Sequence, residues 1–179
     1  MSGHAFLAAD LSSEERHSLS HALSDANSGR PIPGRRPPAE NWHITLRFLG
    51  ECGDPQTDLV MHRLSDTVSA SPSRVWCEGL GAFPRPSRAG VVFAAVDDPT
   101  DILGHLAGVC EEAAIDAGFE PEDRPYVPHL TLSRLRPALD VRSLFAALGE
   151  FRVPIKVRAI TLLRTNGPRY DTLDTLPLV

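Results

Sequence analysis

The chain has few of the features that identify secreted, disulfide-bonded proteins. Its 179 residues include three cysteines, Cys52, Cys77 and Cys110, which are widely spaced and form no C-x-x-C pair. An odd number of scattered cysteines argues against a disulfide framework and favours a reducing compartment. We therefore expect a cytoplasmic protein.

Long apolar runs and targeting signals are also missing from the sequence. No stretch reaches the roughly 18 consecutive apolar residues that a membrane-spanning helix needs. Residues 1–7 have neither the basic start nor the long apolar centre of a signal peptide. We expect no association with a membrane.

Excess positive charge is lacking as well. The formal net charge is −5 and Lys156 is the only lysine, so no overall field attracts nucleic acid. Binding of RNA would depend on a local basic cluster or on recognition of one terminal nucleotide. The Arg30–Arg36 segment is such a cluster, although a solvated loop is the simpler interpretation of it.

Apolar periodicity and turn formers predict a mixture of strands and helices. No Gly-rich phosphate loop and no strict βαβ rhythm are present, which favours an α+β protein over a doubly wound sheet. We assign residues 1–179 to one domain with two interleaved lobes. Helices are predicted to begin near Ser12, Asp54, Asp98 and Asp140, and strands are predicted at residues 4–10, 42–49, 75–83, 91–96, 129–135, 153–164 and 170–176.

One short motif occurs twice in predicted strands. His-x-Thr-Leu, with an aliphatic residue at x, stands at residues 43–46 and again 86 residues later at 129–132. Counting matches to this template, two copies would arise by chance in about one random shuffle per thousand. Side chains alternate along a strand, so the histidine and the threonine share one face while the residues between them point into the core.

The two motifs supply what phosphodiester cleavage requires. Strands side by side would bring two imidazoles, from His43 and His129, and two hydroxyls, from Thr45 and Thr131, into one cleft. One imidazole takes a proton from water and the other gives a proton to the leaving oxygen, while hydroxyls bind the non-bridging oxygens. An unperturbed imidazole pKa near ~6.5 allows both protonation states near neutral pH. The near symmetry of the motifs does not decide which histidine is the acid.

Three residues after the motifs are further candidates for substrate binding. Arg47 shares the face of His43 by parity, whereas Arg134 lies opposite His129 unless a bulge at Ser133 turns it. For each arginine the alternative is a solvated charge at a strand end. Phe48 is placed in the core by parity, with stacking on a terminal base as the alternative.

The paired strands resemble the two-histidine (2H) phosphoesterase superfamily, and in particular its RNA 2′,3′-cyclic phosphodiesterases, also described as 2′–5′ RNA ligase-like. Residues 40–51 and 128–134 resemble its two motif blocks, and residues 6–9 its first strand. Arg169-Tyr170 falls where a closing strand usually carries a tyrosine. The resemblance implies a bilobal α+β fold, with two antiparallel-sheet lobes, helices outside, and pseudo-twofold symmetry about a central cleft.

The resemblance also implies an activity and roles for the residues. The expected reaction is hydrolysis of RNA or nucleoside 2′,3′-cyclic phosphates to 2′-phosphates, without metal or other cofactor. His43 is then the proton donor and His129 the proton acceptor, while Thr45, Thr131 and Arg134 bind the phosphate. The expected partners are cyclic phosphate ends of RNA or cyclic nucleotides, and the expected state is a monomer.

Three alternatives remain open at the level of sequence. A metal-dependent hydrolase would use His43 and His129 as ligands, but no third ligand recurs with either motif and zinc sites need three or more. A non-catalytic module would bind a nucleotide or phosphate without turning it over. A 2′–5′ RNA ligase acting on tRNA halves would keep the fold and replace water with a 5′-hydroxyl.

Overall fold

The computed structural model describes residues 3–179. The chain forms strands and helices in this order: β1 (Gly3–Asp10), α1 (Ser13–Ala26), a 3₁₀ turn (Ala39–Asn41), β2 (His43–Cys52), α2 (Asp54–Thr67), β3 (Ser73–Arg85), β4 (Arg88–Asp97), α3 (Ile102–Asp116), β5 (His129–Leu139), α4 (Arg142–Ala147), β6 (Arg152–Val157), β7 (Ala159–Asn166) and β8 (Arg169–Pro177). The predicted α+β class is confirmed.

The strands form two antiparallel sheets of four. The first sheet has the order β2-β1-β7-β8 and the second the order β5-β4-β3-β6. The chain leaves the first sheet after β2, builds the second, and returns with β7 and β8. The two motif strands, β2 and β5, each occupy an edge of a sheet and contact each other. The assignment of residues 1–179 to a single domain stays a prediction.

One cluster of buried apolar side chains joins both sheets to the helices. Leu7 and Ile44 of the first sheet, Leu130 and Ile155 of the second, and Leu106 of α3 are all members with at most 1% exposure. Burial of each such side chain contributes about 1.5–3 kcal/mol. The shared core therefore holds the two motif strands in a fixed relation.

Helix starts follow local signals closely. At α1 the predicted capping box is present: the Glu15 amide donates to Ser12 Oγ at 3.2 Å, and the Ser12 amide donates to the Glu15 carboxylate at 2.8 Å. Helix α2 begins at Asp54, with Gly53 as its cap. Asp98 accepts from the first amides of α3, which starts at Ile102 rather than directly after Asp98.

The single strand predicted over residues 153–164 is wrong. This stretch forms two strands, β6 and β7, which belong to different sheets. The chain crosses between the sheets at Arg158, whose guanidinium donates to Glu15 of α1 at 2.8 Å. The alternation of buried side chains also changes there. Buried residues fall at odd-numbered positions up to Val157, whereas the next buried residue is Ile160.

Both motif strands contain a β-bulge at the motif leucine. The register with the neighbouring strand skips Leu46 in β2 and Leu132 in β5. An extra residue in one strand reverses the alternation of side chains beyond it. The predicted bulge thus exists in β5, one residue before Ser133. Because of these bulges, the residue five positions after each motif histidine lies on the same face of the strand as that histidine.

Candidate active site

The motif histidines stand at equivalent points in the two sheets. His43 is the first residue of β2 and His129 the first of β5. Each Nδ1 lies 2.7 Å from the carbonyl oxygen two residues earlier, that of Asn41 for His43 and that of Val127 for His129. Because a carbonyl oxygen only accepts, each Nδ1 carries the hydrogen and each Nε2 is left for chemistry.

Aromatic rings hold both imidazoles. The ring centroid of His43 lies 4.7 Å from that of Phe6 and 5.3 Å, edge-on, from that of Tyr170. The ring of His129 packs against two phenylalanines at 4.9 and 5.2 Å, Phe83 and Phe93. Contacts on this scale limit rotation of both imidazoles.

Burial lowers the pKa of both histidines. Desolvation is the main cause for His43, whose pKa falls to about 4 although the Asn41 carbonyl opposes the shift. Burial is also the main cause of the lowered pKa of His129, and the Arg134 charge lowers it further. The charges of His129 and Arg134 both act on His43. Both imidazoles are therefore neutral near pH 7 in the free protein and close enough to interact.

The two threonines differ in their contacts. Thr45 Oγ1 lies 3.1 Å from Nε2 of His43, so the hydroxyl donates to the free lone pair of the neutral ring. Thr131 is half-buried and lines a groove beside His129. Thr45 is thus hydrogen-bonded to the nitrogen of His43 that the Asn41 carbonyl leaves free.

A groove of about 790 Å³ runs from His129 towards α3. This volume lies within the usual ~300–1,000 Å³ of ligand sites. Its wall is largely apolar, with charges at the margin. Prominent lining residues are Phe48, Phe83, Tyr126, Val127, Thr131 and Arg134. The groove has room for a nucleoside beside the His129 imidazole.

Comparison with known proteins agrees with this geometry. Residues 18–169 match the 2′-5′ RNA ligase superfamily. The chain belongs to this superfamily. Its resemblance to two-histidine phosphoesterases, inferred from the paired motif, is confirmed.

Individual members of the superfamily align over most of the chain. The RNA 2′,3′-cyclic phosphodiesterase of Aeropyrum pernix is 34% identical, with 84% of this chain and 90% of that protein covered. The protein of the same name from Archaeoglobus fulgidus is 33% identical, with 94% and 96% covered. The crystal structure of E. coli LigT complexed with 3′-AMP has a TM-score of 0.76 at 25% identity and covers 100% of this chain and 99% of that one. The predicted bilobal fold is therefore confirmed.

Strand parity predicted that Phe48 lies in the core, and this prediction is wrong. It is 53% exposed, lines the groove, and has its ring 6.0 Å from that of Phe6, which also contacts His43. The bulge at Leu46 is the physical cause, since it turns Phe48 onto the histidine face. The alternative interpretation, a ring available for stacking, fits its position.

Arg134 likewise lies on the groove side. It is exposed, lines the groove, and acts electrostatically on both histidines. Its backbone pairs with Arg35 in an isolated antiparallel bridge. Arg134 makes no ion pair with any residue in the range 3–179. Its charge is therefore available to an anion.

Arg47 is held by other protein groups. Its side chain is 7% exposed and its guanidinium bonds to the carboxylates of Glu111 and Glu122 and to the carbonyls of Glu120 and Phe48. The bulge at Leu46 again explains the departure from simple parity. These contacts favour a structural role, in which Arg47 ties β2 to α3 and the segment after it, over the predicted role in substrate binding.

Sequence reasoning missed several residues of the site. Phe6, Phe83 and Tyr126 were not singled out, although Phe6 and Phe83 lie in predicted strands. The Tyr126 hydroxyl donates to the Thr45 carbonyl at 3.1 Å and so links the segment before β5 to β2. Its place three residues before the second motif histidine was the only local signal. Tyr170, interpreted as a strand residue, is half-buried against His43.

Within residues 3–179 no group of three or more His, Cys, Asp or Glu side chains is arranged to hold a metal ion. The three cysteines are free and buried, and burial raises the pKa of Cys77 and Cys110 to about 12. None of the helices in this part of the chain is long and apolar enough to cross a membrane. Independence from metal stays a prediction.

Proposed function

We propose that this protein hydrolyses the 2′,3′-cyclic phosphate of RNA ends or nucleosides to a 2′-phosphate, with His43 and His129 as the proton-transfer groups and without a metal. The observation that carries the proposal is the matched pair of imidazoles. Each is held at Nδ1 by a backbone carbonyl and each is left with Nε2 for chemistry. The relatives named RNA 2′,3′-cyclic phosphodiesterase support the substrate class.

The reaction needs one proton removed and one delivered. Nε2 of His129 takes a proton from water as the water oxygen forms a bond to phosphorus. The bond between phosphorus and O3′ breaks, and the proton on Nε2 of His43 passes to O3′. The product keeps the phosphate on O2′, and the two imidazoles return to their starting states by exchange with solvent. Acid and base groups of this kind each contribute typically about 10²–10⁴ in rate.

Substrate binding favours uptake of the required proton from solvent. Both imidazoles are neutral in the free protein because burial lowers their pKa values. A phosphodiester anion beside them favours the charged form and raises these pKa values. The bound anion therefore favours protonated His43, which then gives its proton to the departing O3′. The proton-donor role of His43 is the one that the resemblance to the family implies.

The remaining polar groups fit the phosphate. The Thr45 hydroxyl, which occupies Nε2 of neutral His43, is released when that nitrogen becomes protonated. Thr45 and Thr131 then donate to the non-bridging oxygens, and Arg134 supplies a positive charge from the groove margin. The nucleoside occupies the apolar part of the groove, with Phe48 against the base.

The proposal is tested with adenosine 2′,3′-cyclic phosphate in EDTA, with phosphorus NMR to distinguish 2′- from 3′-phosphate. We expect 2′-phosphate, and a loss of about 10²–10⁴ in rate for His43→Ala and for His129→Ala. His105→Ala, at an exposed position of α3, is the matched control. Near-full activity of both variants would overturn the mechanism, and loss of activity in EDTA would favour a metal-dependent hydrolase. Tight binding without turnover would indicate a binding module.

Ligation is a second candidate function, because the family is described as the 2′-5′ RNA ligase superfamily. A 5′-hydroxyl of a second RNA would attack phosphorus in place of water, and the same two imidazoles would transfer the protons. Since water is far more abundant, hydrolysis dominates. Adding a 5′-hydroxyl RNA fragment, such as a tRNA half, and testing for a 2′–5′ linked product distinguishes the two reactions. A monomeric state and a cytoplasmic location stay predictions.

A further inference from the structure

Arg35 and Arg134 are direct cross-strand neighbours. The Arg35 amide donates to the Arg134 carbonyl and the Arg134 amide donates to the Arg35 carbonyl, both at 2.9 Å. A pair that exchanges both hydrogen bonds has Cα atoms about 5.5 Å apart and side chains on the same face. Arg134 lines the groove. Arg35 therefore lies on the groove face as well, beyond the outer edge of β5.

The segment around Arg35 is fixed to β5 by its own residues. Gly34 has φ +96°, and a Cβ there would come within 2.7 Å of the Arg134 carbonyl oxygen. Ser133 is fully buried and its hydroxyl donates to the Pro33 carbonyl. Only glycine fits such an approach at positive φ. The position of Arg35 is thus fixed by contacts that the two residues before it make with β5.

Both guanidinium groups are without a carboxylate partner in the part of the chain that the structure describes. Like charges directly opposite each other across strands are destabilising. Within residues 3–179, neither Arg35 nor Arg134 takes part in an ion pair with a carboxylate. The protein as a whole is acidic, with a net charge of −5. A bound anion is the group that would compensate this pair.

The order of the two arginines indicates which anion each one meets. Arg134 lines the groove together with His129 and is turned onto the histidine face by the bulge in β5, so we assign it to the scissile phosphate. Arg35 lies one strand position further out. In an RNA chain, the phosphate nearest to a 2′,3′-cyclic end is the one on O5′ of the terminal nucleoside. We propose that Arg35 binds this 5′-phosphate, so that the site prefers an RNA end to a free nucleoside cyclic phosphate. This inference rests on the proposed function.

Two probes that differ by one phosphate test the inference. They are adenosine 2′,3′-cyclic phosphate and the same compound with a 5′-phosphate. We expect the wild-type protein to prefer the second by roughly tenfold or more in kcat/KM, because a charge-assisted hydrogen bond to phosphate is added. Arg35→Ala should reduce the preference to about one while leaving kcat/KM for the first probe unchanged. Arg35→Lys should keep part of the preference.

Arg36→Ala is the matched control, since alternation in an extended segment directs Arg36 to the other side. With a short RNA ending in a cyclic phosphate, one phosphate contact contributes about 0.7 to the slope of log affinity against log salt. Arg35→Ala should lower the slope by this amount and Arg36→Ala should not. Equal effects of Arg35→Ala on both probes, or equal effects of the two substitutions, would overturn the inference.

Binding of the two products separates this inference from the proposed function. Adenosine 2′-phosphate and adenosine 2′,5′-bisphosphate are titrated into the wild-type protein and the Arg35→Ala variant. Tighter binding of the bisphosphate, lost in the variant, supports the role of Arg35 even without turnover. Equal affinity of the wild-type protein for both products overturns it. Absence of hydrolysis with either cyclic probe would overturn the proposed function alone.

Discussion

Phe48 and Arg134 occupy equivalent positions in the two halves of the protein. Each stands five residues after a motif histidine, and a bulge at the motif leucine turns each onto the histidine face. One half of the site therefore presents an aromatic ring and the other a guanidinium group at the same place. Under the proposed function, this difference gives the site a base-binding side and a phosphate-binding side, although its two motifs are nearly identical.

Substitution of Arg134 should weaken the interaction of the protein with the phosphate of the substrate. Arg134→Ala is expected to lower kcat/KM for adenosine 2′,3′-cyclic phosphate by roughly 10- to 100-fold, because a hydrogen bond to a charged group contributes about 1.5–3 kcal/mol. Arg136→Ala, at an exposed position two residues later, is the control and should have little effect. Steady-state kinetics with both variants checks this. Equal rates for the two variants would show that Arg134 does not contact the phosphate.

Substitution of Phe48 should weaken the binding of the base of the substrate. Phe48→Ala is expected to raise KM for an adenosine substrate by roughly 5- to 100-fold, since stacking of a base on an aromatic ring contributes about 1–3 kcal/mol. Phe48→Tyr keeps the ring and should retain most of the affinity. Because Phe48 is 53% exposed, its substitution should not impair folding, and unfolding in urea checks this. An unchanged KM in Phe48→Ala contradicts stacking.

The pH dependence of kcat/KM should reflect the pKa values of the acid and base groups in the free protein. In the proposed mechanism the active form has His43 protonated and His129 neutral. Burial holds the pKa of His43 at about 4 and lowers that of His129 below its ordinary value. We expect a bell-shaped profile with its maximum below pH 6.5. The kcat profile should lie at higher pH, because the bound phosphate raises the pKa of the imidazole next to it. A kcat/KM that rises steadily to pH 8 is incompatible with paired acid and base roles.

Stability should fall in acid through His43. The folded pKa of about 4 lies below the unfolded value near ~6.5, so the unfolded chain binds more protons between these values. The contribution is complete above pH 6.5 and is lost as the pH falls towards 4, with an upper limit of about 3 kcal/mol. The free energy of unfolding, measured in urea, should therefore change less between pH 8 and pH 4.5 for His43→Gln than for the wild-type protein. His105→Gln should behave like the wild-type protein, and an unchanged acid sensitivity of His43→Gln would refute the assignment.

Removal of Arg47 should destabilise the segment after α3. Arg47→Met leaves Glu111 without its buried partner, and breaking a buried ion pair costs about 3–5 kcal/mol. Because Glu111 and Glu122 are partly exposed, at 26% and 44%, we expect the lower end of this range or slightly less. Arg142→Ala, which breaks an exposed pair, should reduce the free energy of unfolding much less, because solvent screens that pair. Urea unfolding measures both, and equal losses would contradict the structural role of Arg47.

Local patterns predicted the parts of the protein that depend on neighbours in the chain. The capping box at Ser12 and Glu15 depends on residues three apart, and the shared face of His43 and Thr45 depends on residues two apart. The repeat of the motif at His129 indicated the second half of the site. These features could be predicted because helix capping and strand alternation are set within a few residues.

Contacts between distant segments decided the rest. The bulges at Leu46 and Leu132 arise from pairing with β1 and β4, and they place Phe48, Arg134 and Arg47 where simple alternation does not. The division of residues 153–164 between two sheets, and the pairing of Arg35 with Arg134 across about 100 residues, likewise depend on partners far along the chain. The sequence by itself determined which groups are proposed to carry the chemistry, because a repeated local pattern specifies them. Only the tertiary structure decided which side chains surround them, because strand register is set by pairing between segments that the sequence separates.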